Sequence, residues 1–153
     1  KSFYMKEGDL EKFNLKLQKK YKQIREKEQR WEEVSLEGAK IIVVAYGTMS
    51  RIARSAVNTL RQEGKKIGLI RPITLWPFPE KIFHNLSSVV RSPSSVGKLK
   101  FLIIEMSYGQ MIEDVKLSLD CRFPVEFLGR AGGGIPSEEE IIDKLKSLYG
   151  KSI

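Results

Sequence analysis

The sequence predicts an α/β fold, a three-layer α/β/α arrangement around a mostly parallel sheet of about four to five strands. Four short apolar segments are typical of buried strands, and they begin near residues 41, 67, 101 and 125. A segment with the three- and four-residue spacing of an amphipathic helix follows each of them. Right-handed crossovers through these helices place the strands parallel and cover both faces of the sheet. The strand order stays open, and the loops leave room for an extra antiparallel edge strand.

A long charged helix is predicted before this unit. From Asp9, an N-cap candidate, to Val34 the chain is rich in Lys, Glu, Gln and Arg and has no Gly or Pro. Its apolar residues form one stripe: Leu10, Phe13, Leu17, Tyr21, Ile24, Trp31 and Val34. The stripe packs either on its own domain or, as an arm, on a preceding domain or another subunit. We therefore divide the chain into a helical arm, 1–36, and an α/β domain, 37–153.

The first half of the domain is organised around residues 40–60. Ile41 to Ala45 form the first strand, residues 47–50 a turn with Ser50 as N-cap, and residues 51–61 a helix that ends before Gly64. The second strand covers residues 67–70 and ends at Arg71 and Pro72. The proline-rich loop 72–79 holds Trp76 and Phe78, which either cover the core or form an exposed protein contact.

The second half repeats strand and helix. It contains a helix at 80–90, a surface loop at 91–100, a strand at 101–104 and a helix at 110–119. A short strand at 125–128 is followed by a glycine-rich loop. Ser137 and Glu140 have the spacing of a capping box, which predicts a final helix over 138–149.

Ligands of open α/β sheets bind beyond the carboxyl ends of the strands. The turn at 47–50 has one glycine and no following Lys, so a turn is favoured there over phosphate binding. The run Gly132–Gly134 beside Arg130 could dock an anion at the helix start, but the interpretation as positive-φ turns is favoured. An ion pair between Arg71 and Glu105 is favoured over a general base. His84 has no metal-ligand partners at suitable spacing and is interpreted as structural.

Charge and cysteine content restrict the function further. The net charge of +8 favours acidic partners, or it reflects a basic solvated surface without a dedicated site. One cysteine, Cys121, cannot form an internal disulfide or hold an iron–sulfur cluster by itself, which fits a reducing cytoplasm. No apolar run reaches the length of a membrane span, so no membrane contact is expected.

Three segments carry a family resemblance. Residues 42–83, 101–115 and 127–141, above all the stretches RPITLWPFPE and EMSYGQM, resemble the C-terminal domain of the alpha subunit of 2-oxoacid:ferredoxin oxidoreductases. That domain is related to the C-terminal domain of transketolase. The resemblance covers about residues 40–145, and the charged helix before it resembles the family's linker.

The resemblance implies a domain of a multi-subunit enzyme. Such enzymes oxidatively decarboxylate a 2-oxoacid on thiamine diphosphate, pass electrons through [4Fe-4S] clusters to ferredoxin and form acyl-coenzyme A. Thiamine diphosphate and Mg are expected on other domains and on the beta subunit, with no cofactor and no catalytic residue in this chain. The isolated chain is expected to be inactive. Its candidate residues for subunit contact, or for shaping the surround of the active site, are Arg71, Trp76, Pro77, Glu105, Tyr108 and Gln110.

An alternative class stays open at this stage. A stand-alone α/β module that binds an anion, a nucleotide or RNA would use the basic surface and the glycine loop. Nucleic acid is not the favoured partner, because the lysines and arginines are spread over several elements and interleaved with acids.

Overall fold

The computed structural model describes residues 3–89 and 99–150 of the chain. In the described residues, five helices and five strands follow one another along the chain. They are α1 (Asp9–Lys27), β1 (Trp31–Val34), β2 (Ile41–Ala45), α2 (Gly47–Gln62), β3 (Ile67–Pro72), α3 (Glu80–Val89), β4 (Lys100–Glu105), α4 (Met111–Ser118), β5 (Val125–Gly129) and α5 (Glu138–Gly150). The predicted α/β class is confirmed. Most of the predicted loop at 91–100 lies outside the described residues.

The strands form one sheet in the order β1-β3-β2-β4-β5. β2 pairs in parallel with β3 and β4, and β4 pairs in parallel with β5. β1 is the exception, since it runs antiparallel along the outer edge of β3 with Glu32 opposite Arg71. The sheet is therefore parallel apart from one edge strand.

Two apolar layers hold the helices to the sheet. Successive residues of β2 alternate between them: Ile41, Val43 and Ala45 face α2 and α5, and Ile42 and Val44 face α3 and α4. All five residues are fully buried or nearly so. This explains why β2 is apolar throughout, since a central parallel strand is covered on both faces. No residue of α1 is buried.

The prediction that the first helix reaches Val34 is wrong, because α1 ends at Lys27. The chain turns after Glu28, and the carbonyl of Arg30 accepts hydrogen bonds from the backbone N–H groups of Ile73 and Thr74 at 2.9 and 3.2 Å. Residues 31–34 then form the ladder with β3. Pairing with the open edge of the sheet overrides their local helical pattern.

The turn predicted at 47–50 is also wrong, because α2 begins at Gly47. Ser50 is not an N-cap: it lies inside the first turn, and its buried hydroxyl donates to the carbonyl of Gly47 at 2.7 Å. Gly64 follows α2 with φ of +79°, and its N–H bonds to the carbonyl of Arg61 at 2.9 Å. The predicted helix end at Gly64 is confirmed.

Candidate functional site: the carboxyl edge of the sheet

Four segments meet where the parallel strands end, and we call them together the carboxyl edge: the start of α2 with the residue before it, 46–50, and the loops 73–79, 106–110 and 130–137. All six residues singled out from the sequence lie on these loops or at the last positions of β3 and β4. Their roles differ, because only some of them are exposed.

Arg71 is tied to the edge strand, and the predicted ion pair with Glu105 does not form. Its Nη1 lies 3.3 Å from a carboxylate oxygen of Glu32, and Arg54 on α2 binds the same oxygen at 2.7 Å. The hydrogen bond from Arg54, reinforced by Arg71, holds the pKa of Glu32 below its ordinary value. The cluster fastens β1 to both β3 and α2.

Glu105 is fully buried and acts as the cap of α4. Its carboxylate accepts hydrogen bonds from the backbone N–H groups of Gln110, Met111 and Ile112 at 3.1, 2.9 and 3.0 Å. The hydroxyl of Ser107 donates to it at 3.0 Å. An acid at the end of β4 thus satisfies three donors that a helix start leaves unpaired.

This cap fixes a short loop with Tyr108 at its apex. Gly109 adopts φ of +111°, a conformation that side chains disfavour, and its N–H bonds to Ser107 Oγ at 3.2 Å. The side chain of Tyr108 is 86% exposed. A braced loop therefore holds a large aromatic ring in solvent.

The proline-rich loop divides its two rings between core and surface. Phe78 is buried and stacks on Phe83 with ring centroids 5.5 Å apart. Trp76 is 54% exposed, and its ring meets the edge of Tyr21 on α1 at 5.4 Å. Pro77, joined to Trp76 by a cis peptide bond, is buried.

The carboxyl edge is rich in exposed apolar side chains. They are Ile73, Leu75, Trp76, Met106, Tyr108 and Ile135. Single exposed apolar residues are ordinary on a surface, but several on adjoining loops are typical of a protein contact.

The glycine loop is closed by the chain itself. Arg130 pairs with Glu140 and donates to the carbonyl of Ile135 at 3.3 Å. Ser137 N–H donates to the Glu140 carboxylate at 2.7 Å, and Glu140 N–H donates to Ser137 Oγ at 3.2 Å, which confirms the capping box. The bond from Ser137 N–H, aided by Arg130, lowers the pKa of Glu140. These contacts occupy the Arg130 guanidinium and the N–H groups of Ser137 and Glu140, which an anion at the helix start would otherwise contact.

Two shallow pockets, each of about 210 Å³, adjoin the edge beside α4. Trp76 lines the first and His84 the second, and both pockets are lined by Glu80 and Asp114. Burial, followed by the charges of Glu80 and Glu105, raises the pKa of Asp114. His84, interpreted from the sequence as structural, is exposed.

The described residues do not fit a metal or an iron–sulfur cluster. In residues 3–89 and 99–150 no group of three or more His, Cys, Asp and Glu side chains is arranged to hold a metal ion. The sequence has one cysteine, and a cluster takes about four thiolates. We derive no reaction step through either group.

Sequence reasoning missed two residues that contact Arg71 or its partner beside the carboxyl edge. Glu32 falls in the predicted helical arm, so the sequence did not predict its ion pair with Arg71. Arg54 was seen only as one of the scattered basic residues. No local signal marks either residue, since they meet through the antiparallel pairing of β1 with β3.

A family model and individual relatives match this chain, and each of the following is named after a 2-oxoacid. Residues 39–141 match the family model described as pyruvate:ferredoxin oxidoreductase core domain II. The chain is 42% identical over 151 residues to ketoisovalerate oxidoreductase subunit VorB of Methanothermobacter marburgensis, covering 99% of this chain and 40% of that subunit. It is 34% identical over 110 residues to 2-oxoglutarate synthase subunit KorA of the same organism, covering 72% of this chain and 27% of that subunit. The chain thus spans about 40% or less of these relatives.

Solved structures show the same fold. A 2-oxoglutarate:ferredoxin oxidoreductase from Magnetococcus marinus superposes with a TM-score of 0.69 at 18% identity, over 94% of this chain and 24% of that one. A split-gene transketolase, described as an inactive beta4 tetramer, gives a TM-score of 0.58 at 17% identity, over 81% and 42% of the two chains.

In the described part of the chain, no helix combines the length and hydrophobicity of a membrane span.

Proposed function

We propose, because this chain belongs to the 2-oxoacid:ferredoxin oxidoreductase family and matches its core domain II, that it forms the transketolase C-terminal-like domain of an alpha-type subunit. The observation that carries this proposal is the 42% identity to a ketoisovalerate oxidoreductase subunit over 99% of the chain. The parallel sheet and its two helical layers support it.

The activity proposed for the whole enzyme is the oxidative decarboxylation of a 2-oxoacid to acyl-coenzyme A, coupled to the reduction of ferredoxin. Thiamine diphosphate, Mg and [4Fe-4S] clusters would be held by other domains and by the beta subunit. This domain would then be structural and inactive alone. A cytoplasmic location is also proposed, which suits a single unpaired cysteine.

A branched-chain 2-oxoacid is the substrate class that the relatives favour. Identity to the ketoisovalerate subunit is 42%, compared with 34% to the 2-oxoglutarate subunit of the same organism and 31% to a pyruvate synthase subunit. The assembled enzyme should therefore turn over ketoisovalerate with a higher kcat/KM than 2-oxoglutarate or pyruvate. The reverse order would contradict this choice of substrate without affecting the domain assignment.

The carboxyl edge is the proposed subunit contact. Trp76 and Tyr108 would supply the exposed rings that anchor it, as aromatic residues do in interface centres. Pro77, Glu105 and Gln110 would hold the two loops in position. Arg71 would act through Glu32, by keeping the edge strand beside the loop that carries Trp76.

The proposal is tested in the assembled oxidoreductase. Trp76→Ala with Tyr108→Ala should weaken assembly by at least about tenfold, since each removes an aromatic anchor. Leu117→Ala is the matched control, because Leu117 is 71% exposed but lies at the far end of α4. Co-elution of the subunits and 2-oxoacid-dependent reduction of ferredoxin are the readouts. Unchanged assembly of the double variant, or turnover by the isolated chain, would contradict the proposal.

The stand-alone anion-, nucleotide- or RNA-binding module is not favoured. The family match covers residues 39–141, and the glycine loop, on which that alternative depended, is closed by Arg130 and Glu140.

A further inference from the structure

The opposite edge of the sheet carries a row of lysines. Lys66 and Lys40 precede β3 and β2, and Lys100 is the first residue of β4. Lys40 N–H donates to the carbonyl of Lys66 at 2.8 Å, and Lys100 N–H donates to the carbonyl of Lys40 at 3.0 Å. Three neighbouring strands thus begin with a lysine, at a spacing of about 4.8 Å between strands. With the adjacent Lys65, we call these residues the lysine row.

The last turn of α5 gathers these side chains. Lys40 Nζ and Lys65 Nζ lie 5.5 and 5.1 Å from the centroid of the Tyr149 ring, within the range of cation–π attraction. The Tyr149 hydroxyl accepts a hydrogen bond from Lys66 N–H at 3.3 Å. Lys100 Nζ donates to the carbonyl of Leu148 at 3.2 Å. The side chains of Lys40, Lys65 and Lys100 are therefore held in place before any partner arrives, and Lys66 is held through its backbone N–H.

Positive charge in this row exceeds what the fold requires. Cations are favourable at the carbonyl end of a helix, and Lys100 serves that purpose. Lys40, Lys65 and Lys66 take part in none of the ion pairs found in residues 3–89 and 99–150. Like charges on neighbouring strands oppose folding, so their grouping points to a role outside the chain.

We propose that the lysine row binds an acidic surface on another protein. Glutamates four residues apart on a helix have Cβ atoms about 5–6 Å apart, which is close to the spacing of neighbouring strands. Lysine acts as a solvated point charge, which suits electrostatic steering of a protein partner.

A protein partner fits the row better than single-stranded nucleic acid. Base stacking needs an open aromatic face, and in the row Tyr149 has two ammonium groups over its ring and its hydroxyl already bonded. The five-residue β2 separates the row from the carboxyl edge by roughly 16 Å. Both edges are thus available at once, and this inference does not depend on the proposed subunit contact.

The test is a titration of the full chain with a helical peptide that carries Glu at every fourth position. We expect the variant Lys40→Gln, Lys65→Gln, Lys66→Gln to weaken binding by about tenfold at an ionic strength of about 0.02 M, where charges are weakly screened. The matched control is Lys12→Gln, Lys16→Gln, Lys22→Gln, three exposed lysines of α1 whose removal changes the net charge equally. Its effect should stay under about threefold.

Two further measurements complete the test. Replacing the same three lysines of the row by arginine should keep the affinity, and circular dichroism should show that all variants fold alike. Equal weakening by both glutamine variants would mean that only total charge matters, and would overturn the proposal. Tighter binding of a single-stranded RNA oligonucleotide than of the peptide, dependent on the same lysines, would also overturn it.

Discussion

A single buried residue, Glu105, holds the loop 106–110 of the carboxyl edge in position. Glu105 accepts hydrogen bonds from three backbone N–H groups and one hydroxyl, so four donors satisfy its buried side chain. A buried polar group is costly without such partners, and the unpaired N–H groups of a helix start supply them here. One side chain thus starts α4 and braces the Tyr108 loop.

Glu105→Gln should lower the free energy of unfolding by about 3 kcal/mol, because an amide cannot accept all of these hydrogen bonds and places its own donors against backbone N–H groups. Chemical denaturation at neutral pH measures the change. Glu113→Gln on the exposed face of the same helix should change stability by less than about 0.5 kcal/mol. A loss at position 105 as small as that of the control would show that the cap does not stabilise the fold.

Residue chemistry was predictable only in part. The sequence marked Glu105 and Arg71 as the charged ends of their strands, and both are at those ends. The ion pair predicted between them was wrong. The donors to Glu105 are backbone N–H groups five to seven residues later in the chain, and the partner of Arg71 is Glu32 of β1. The sequence also left open whether Trp76 and Phe78 cover the core, and the two residues divide these roles.

At the scale of elements, the edge strand β1 is the main departure from sequence expectations. Its residues continue the apolar spacing of α1, so local pattern favours helix through Val34. Once α2 and β2 fix β3 in the sheet, the outer edge of β3 offers unpaired backbone groups that residues 31–34 satisfy. Strands with a continuous apolar run of their own were predicted well, whereas β1, whose local spacing continues that of a helix, was not.

Attachment of β1 should depend on pH through Glu32. Its pKa is lowered from the ordinary 4.5 by Arg54 and then Arg71, so the folded chain favours the ionised form. The resulting stability is present above pH 4.5 and is lost as the pH falls through the lowered pKa. Glu32→Gln should therefore be less stable than the unmodified chain at pH 7, and the difference should be smaller at pH 3.

Urea denaturation at both pH values measures this difference. Glu37→Gln, an exposed neighbour outside the cluster, is the control and should show no such change. A stability difference of equal size at both pH values would mean that the carboxylate charge does not hold β1 in place.

At the scale of the molecule, alternation of strands and helices predicted the parallel sheet and its two helical layers. The order β1-β3-β2-β4-β5 was not predictable, because the buried middle residues of the central strands are apolar in each case and do not encode which neighbour a strand takes. The sequence also did not predict which apolar side chains of the carboxyl edge are exposed to solvent. Whether Ile73 or Tyr108 is exposed depends on contacts between loops that lie far apart in the sequence.

The division at residue 36 is a prediction that two shortened chains can test. A chain that begins at Glu28 lacks α1, which contributes no buried residue, so it should lose about 1 kcal/mol of unfolding free energy or less. A chain that begins at Gly38 also lacks β1, together with Trp31 and Val34, which pack against the two core layers. It should lose about 3 kcal/mol or more and expose the edge of β3.

Thermal and urea unfolding of the three chains, with hydrogen exchange on β3, give the comparison. Equal stability of the full chain and the chain that begins at Gly38 would support a domain that starts at residue 37. The result expected from the sheet is that the loss appears between the two shortened chains and that the amides of β3 exchange faster in the shorter one. That outcome would move the boundary from residue 36 to the turn after Lys27, because the edge strand would then belong to the cooperative unit and α1 alone would be the arm.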